Sequence, residues 1–195
     1  MGLQKDKVKD FSDLELIEGS IKGKPSCQEG LYKRYFSLAM SICIRYVPSV
    51  DEAVEVVNDG FVKVFEHLGS YDSSRPIKAW IARIMVNTAI DSYRQGLKHR
   101  VVVNTDAAPD ADEAEPEIEQ TLCADDIVKL FAELPDKYRI NFNLYEIEGY
   151  SHEEIGQMLG ISTSTSRSNL TRAKKMLQKL YKQHINSEEK CHEAV

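Results

Sequence analysis

The stretch TDAAPDADEAEPEIEQ, Thr105–Gln120, limits everything around it. Residues 101–121 hold seven acids (Asp106, Asp110, Asp112, Glu113, Glu115, Glu117 and Glu119), two prolines, no base and no aromatic residue. Like charges at this density repel one another. The segment also has too little apolar surface to offset the entropy cost of ordering it. It is expected to be a flexible acidic linker, so no single core can run through the 195 residues. The expected division is a domain at 11–100, the linker at 101–121 and a second domain at 122–184.

The strip also accounts for the net charge of −6: outside those seven acids, 25 bases stand against 24 acids. The bases are concentrated. Arg75–Arg100 has six against one acid, Asp91, and Thr163–Gln183 has six against none. Two cationic segments point to a polyanionic partner. No run of about 18 apolar residues exists, so direct membrane insertion is not expected. The beginning MGLQKDKVKD lacks the apolar centre of a signal peptide, and position 6 is Asp where myristoylation needs Ser or Thr. A cytoplasmic location is expected. Cys27, Cys43, Cys123 and Cys191 show no C-x-x-C spacing and read as reduced thiols. Cys191 and His192, with the more distant His184, lack the arrangement of a closed zinc site, so neither metal nor cofactor is expected.

On both sides of the strip the apolar period is helical. Leu31, Tyr35, Leu38, Ile42 and Tyr46 form one stripe, widened by Tyr32, Phe36, Ala39 and Cys43. Pro48 and Ser49 stop that helix and Asp51 is positioned to cap the next, where Val54, Val57, Phe61, Val64 and Leu68 trace a narrow seam. After the loop GSYDSSRP a helix starts near Pro76. Ile77, Trp80, Ile81 and Ile84 face inward, and Arg83, Asn87, Asp91, Arg94 and Lys98 form a polar spine opposite. A shorter helix is expected around Asp13–Gly19. Beyond the strip, Ile127, Leu130, Phe131 and Leu134 mark one helix, and LPDKYR opens another that ends before Gly149. No strand alternation and no internal repeat occurs. The fold expected is all-α, two small helical domains joined by the acidic linker.

The last segment is the most specific. Ser151 with Glu154 three residues later is a reciprocal capping box. Ile155 and Leu159 give the following helix its buried edge, and Gly160 supplies the positive φ that ends it. Ile161 plugs the angle, and Ser162 or Thr163 caps a helix carrying Ser166, Leu170, Ala173, Leu177 and Leu180 on one stripe. Helix, glycine turn and basic second helix form the helix-turn-helix pattern. Small polar residues (Thr163, Ser164, Thr165, Ser166, Ser168, Asn169) permit close approach to a groove. Arg167 and Arg172 suit phosphates or guanine, Asn169 suits adenine, and Lys174, Lys175, Lys179 and Lys182 extend the positive face. A solvated amphipathic helix with ordinary surface lysines is the plain alternative.

These motifs together resemble a bacterial RNA polymerase sigma factor, of the sigma-70 family and its extracytoplasmic-function (ECF) group. LPDKYRINFNLYEIEGYSHEEIGQMLGISTSTSRSNLTRAKKML resembles the family's promoter −35 reading domain. DEAVEVVNDGFVKVFEHL resembles its polymerase clamp helix, and AWIARIMVNTAIDSYR its −10 reading helix. The resemblance implies −35 contacts from Thr165, Arg167, Ser168, Asn169, Thr171, Arg172 and Lys175. It implies −10 contacts from Tyr71, Asp72, Ser73, Ser74, Arg83, Asn87 and Arg94, with a pocket for a flipped base built by Tyr71, Asp72, Ser73, Ser74 and Asn87. It implies docking on the clamp helices of core RNA polymerase through Glu55, Asn58, Asp59 and Val62. Promoter DNA and an anti-sigma protein are the other partners implied. A flipped base needs an aromatic wall and an amide for its edge, although Tyr71 serves equally well as plain core.

Three departures from the family's pattern stand out. Asn58-Asp59 replaces the usual Gln-Glu of the clamp helix. Ser164 replaces a frequent Gly, and Ser166 a frequent β-branched residue, which is expected to loosen the core and alter the sequence read. The rival function is a stand-alone helix-turn-helix regulator with a helical sensor or dimerisation domain, which would bind a palindrome without polymerase. An enzyme is not expected: His152 has no second His four residues on, there is no phosphate loop, and His67, His99 and His152 read as isolated surface residues.

Overall fold

A computed structural model describes residues 11–99 and 129–192 and places the side chains of 11–97 and 129–184. The acidic strip, with Ile127, lies outside the described residues. These are helical throughout their regular elements, with no strand. The chain forms two compact units, Met1–Ser92 and Tyr93–Val195.

In the first unit, α1 (Asp13–Ile21) begins at a capping box. Ser12 Oγ accepts from the Glu15 N–H at 3.3 Å, and the Glu15 carboxylate accepts from the Ser12 N–H at 2.7 Å. Asp13 then accepts from Arg34 Nη1 at 2.8 Å and from the Tyr35 hydroxyl at 2.7 Å, which ties α1 to α2 (Pro25–Cys43). A Cβ on Gly19 would lie 2.2 Å from Cys27 Sγ, so glycine sets that approach. Of the expected α2 stripe, Leu31, Tyr35, Ile42 and Tyr46 are buried and Leu38 is half-buried. Cys27 and Cys43 are free and buried, and burial pushes the Cys43 thiol up to about 12, leaving it inert as a nucleophile.

The cap of α3 (Val50–His67) corrects the sequence expectation. The helix starts one residue before Asp51, so Ser49 is the cap, accepting from the Glu52 N–H at 3.2 Å. Asp51 falls in the first turn instead, where its charge meets the helix dipole. The seam is also wider than expected, with Ala53, Val56 and Gly60 buried beside Val57, Phe61 and Val64 while Val54 is half-buried. A single 3-10 turn, Leu68–Ser70, leads to the loop before α4 (Ile77–His99). The inward face of α4 is Ile77, Ile81, Met85, Val86, Ala89 and Ile90, whereas Trp80 and Ile84 are only half-buried. A Cβ on Gly60 would meet Met85 Sδ at 2.4 Å, and Lys63 pairs with Asp91 at 2.9 Å, so α3 and α4 are in direct contact.

In the second unit, Leu130, Phe131 and Leu134 are buried ahead of α5 (Asp136–Phe142), which Pro135 precedes. The helix loosens into one π turn, Asn143–Ile147, and stops before Gly149, whose φ is +77°. Arg139 is almost wholly enclosed, paired with Asp136 at 2.7 Å and donating to the Leu134 carbonyl at 3.3 Å. Two further helices, α6 (His152–Leu159) and α7 (Thr163–His192), complete the unit.

Candidate nucleic-acid interface

The α6–α7 corner is built by two glycines and two serines. Ser151 and Glu154 form the expected capping box, with the Ser151 N–H donating to Glu154 at 2.8 Å and the Glu154 N–H to Ser151 Oγ at 3.3 Å. The first of these, followed by the Ser151 hydroxyl, holds the Glu154 carboxyl below its ordinary range. Gly160 has φ +69°, the left-handed conformation that ends α6. Gly156 does a different job: a Cβ there would lie 2.9 Å from the Ile161 carbonyl oxygen, so only glycine lets the turn lie against α6. Ser162 then caps α7, accepting from the Thr165 N–H at 3.0 Å.

The corner sets which side of α7 faces out. Thr165, Arg167, Ser168, Thr171, Arg172, Lys174 and Lys175 are exposed; Ser166, Asn169, Leu170 and Ala173 are buried. Arg167 lies 4.0 Å from Glu153, both largely exposed, and Lys174 pairs with Glu146 at 2.8 Å. Arg172 Nη1 donates to the Tyr138 hydroxyl at 3.4 Å. The outer hydroxyls fold back on the helix, Ser168 onto the Thr165 carbonyl at 3.0 Å and Thr171 onto that of Arg167 at 3.1 Å. Asn169 stands apart from this outer row. It was expected to pair with a base, but at 7% exposure it lies on the inner stripe, three residues after Ser166 and four before Ala173. Ser166 is likewise turned inward.

In the first unit, Tyr71 is half-buried, its ring against Trp80 with centroids 5.3 Å apart, and its hydroxyl donates to the Arg75 carbonyl. Asp72 organises this loop. Its carboxylate accepts from the Ser74 N–H at 3.0 Å and lies 3.5 Å from Arg75 Nε. Hydrogen bonds from Ser74 hold its pKa below the usual value. Ser73 and Ser74 are exposed, as are Arg83 and Asn87 on α4; Arg94, later on that helix and beyond the first unit, is exposed too. On α3, Glu55, Asn58, Asp59 and Val62 are all exposed, at steps of three, one and three. Val62 is 56% exposed, an apolar side chain set among acids. Tyr32 donates to Asn58 Oδ1 at 3.0 Å, which fixes the asparagine on that face.

Residues 31–98 match the family model for Sigma-70 region 2, and residues 124–177 that for Sigma-70, region 4. The RNA polymerase sigma factor SigZ of Bacillus subtilis is 34% identical over 134 residues, 67% of this chain and 72% of that protein.

The chain belongs to the sigma-70 family.

The ECF RNA polymerase sigma-E factor of Salmonella typhimurium is 28% identical over 179 residues, 86% of this chain and 93% of its own. Among solved structures, the sigma factor RpoE in complex with the anti-sigma factor NepR from Bartonella quintana aligns with 79% of this chain and 96% of that one. Its identity is 22% and its TM-score 0.48. This ECF sigma factor is a promoter-directing transcription initiation factor, and the stand-alone regulator is not favoured. No helix among the described residues is long and apolar enough to cross a membrane.

Each residue expected at a site is exposed or half-buried, apart from Asn169. Sequence reasoning missed Tyr32, which holds Asn58, and it misplaced His152. That ring is half-buried, stacked on Tyr145 with centroids 4.4 Å apart and planes 18° apart, and it shares a hydrogen bond with Ser166 Oγ at 3.0 Å. The serine at 166, a departure from the family's pattern, was the available signal.

Proposed function

We propose that the outer face of α7 reads the promoter −35 element through Thr165, Arg167, Ser168, Thr171, Arg172 and Lys175. In the same reading Tyr71, Asp72, Ser73 and Ser74 with Asn87 hold a flipped −10 base, and Arg83 and Arg94 follow the backbone. Glu55, Asn58, Asp59 and Val62 dock on the polymerase clamp helices. The observation that carries the reading is the division of α7 into a buried stripe and an outer row of arginine, lysine and small hydroxyl residues. Such a face enters a major groove without steric conflict and neutralises phosphates.

The division into domains at 11–100 and 122–184 with a linker between belongs to this proposal. So do a non-catalytic role, a cytoplasmic location and an anti-sigma partner that covers the polymerase-facing surface. The Tyr71–Trp80 pair supplies an apolar wall and Asn87 an amide, the two things an extruded base requires.

The test is transcription by sigma-free core polymerase, with and without the chain, on a promoter library. Specific transcripts dependent on the chain are expected. A symmetric footprint by the chain alone, with no transcripts, would sink the proposal. Within the active holoenzyme, Asn87→Ala is expected to impair strand opening while leaving affinity for polymerase intact. Unchanged permanganate reactivity of the melted bases would remove Asn87 from that role.

A further inference from the structure

Beneath the outer face of α7 lies a polar junction that a helix-turn-helix core does not require. Three helices meet at Ser166, which is fully buried. From α6, His152 Nδ1 shares a hydrogen bond with its hydroxyl at 3.0 Å. From α5, Asn141 Nδ2 donates to its backbone carbonyl at 3.0 Å. Asn141 is itself fully buried, and its Oδ1 has no hydrogen-bond partner among the described residues. Tyr145 from the π turn stacks on the His152 ring.

The chemistry of this junction is costly. A buried amide oxygen without a partner loses its hydration. An apolar residue at 166 packed against an apolar residue at 152 would hold the helices together without burying a hydroxyl and a ring nitrogen. What apolar packing lacks is direction. Dispersion contacts tolerate small rotations of a helix about its axis, whereas hydrogen bonds at about 3 Å restrict both distance and angle. Ser166 is followed at once by Arg167 and Ser168 on the outer face. Any rotation of α7 that Ser166 resists is a rotation of the residues facing DNA.

We propose that His152, Ser166 and Asn141 form a polar pin that fixes the rotation of α7, so that they are positioning residues for −35 sequence preference without touching DNA. The inference rests on the reading of α7 as the −35 helix. The expected consequence is specific: removing the pin blurs which bases Arg167 and its neighbours prefer, more than it weakens binding to DNA in general.

The experiment uses the full chain with core polymerase, transcribing a promoter library randomised at −35. Ser166→Ala removes the hydroxyl with little steric change. His152→Phe keeps the stack on Tyr145 and loses the hydrogen bond. Each is expected to reduce the ratio of output between preferred and singly substituted −35 sequences by about three- to tenfold. The double variant is expected to be no worse than the worse single one, because both remove the same bond. Thermal unfolding of each variant, run alongside, sets a temperature at which all are folded. A uniform fall across the library with the profile unchanged overturns the pin, since a merely structural role gives that result; additive losses overturn it too. Arg167→Ala separates the two readings. If it flattens the preference while the pin variants do not, the pin fails and α7 remains the reader. If it changes nothing, both fall.

Discussion

Asn169 and Arg167 are two residues apart and belong to different parts of the molecule. Arg167 projects from the outer face beside Glu153, while Asn169 sits among Leu170 and Ala173. Arg167→Ala is expected to cost about 1–3 kcal/mol in binding to the preferred promoter if the guanidinium reads a base. Asn169→Ala is expected to leave the order of preference among −35 sequences intact and to act through stability, by about 1 kcal/mol. Binding of the holoenzyme to matched and singly substituted promoters distinguishes them, and a loss of base preference in Asn169→Ala would reverse the assignment. The sequence could not separate the two. A short polar residue at the edge of an apolar stripe suits either side of a helix, and only the packing of α7 against its neighbours decides which. Tyr32 was hidden for a related reason: its ring reads as core at helical spacing, and nothing local reveals that its hydroxyl reaches Asn58, 26 residues on.

Elements were far more legible than their contacts. Helix starts are written in local side-chain chemistry, and the Ser151–Glu154 box and the Gly160 turn stand where the sequence placed them. The π turn at Asn143–Ile147 was not legible and the face of α4 only in part, with Ile77 and Ile81 buried as expected but Trp80 and Ile84 half-buried, because both follow from packing between helices rather than from period alone. Two glycines turn this into a prediction. At Gly156 an added methyl meets a backbone carbonyl at 2.9 Å, and at Gly60 it meets the thioether of Met85, at 2.4 Å from Sδ. The second contact is shorter, yet the far end of a methionine swings aside and the main chain of a tight turn does not. Both substitutions gain up to about 1 kcal/mol in helix propensity. Gly156→Ala is nevertheless expected to lose about 1–3 kcal/mol through the displaced turn, and Gly60→Ala to stay within about 1 kcal/mol of the parent. Thermal unfolding midpoints should fall in that order, and a larger loss at Gly60 would show that the α3–α4 contact is the more rigid.

For the molecule as a whole, charge joins what the fold separates. The chain is −6, yet without the seven acids of residues 101–121 it carries 25 bases against 24 acids, and 12 of those bases lie in residues 75–100 and 163–183, the segments proposed to meet DNA. An anionic strip covalently tied to cationic helices competes with phosphate for the same bases and adds repulsion toward any duplex that approaches. Free in solution, the chain should therefore bind DNA weakly, and the strip should matter most where screening is least. Replacing the seven acids by Asn and Gln raises the net charge from −6 to +1 and is expected to tighten binding of the free chain to arbitrary duplex DNA. At low salt the gain should be largest, because charges interact over about 30 Å at 0.01 M. It should fade by 1 M, where they interact over about 3 Å. Anisotropy titrations of the parent and the neutralised chain across that range measure the difference directly. A gain that persisted undiminished at high salt would mean that the strip acts by occupying a defined surface rather than through its field, and no gain at any salt would mean that the bases of α4 and α7 are beyond its reach.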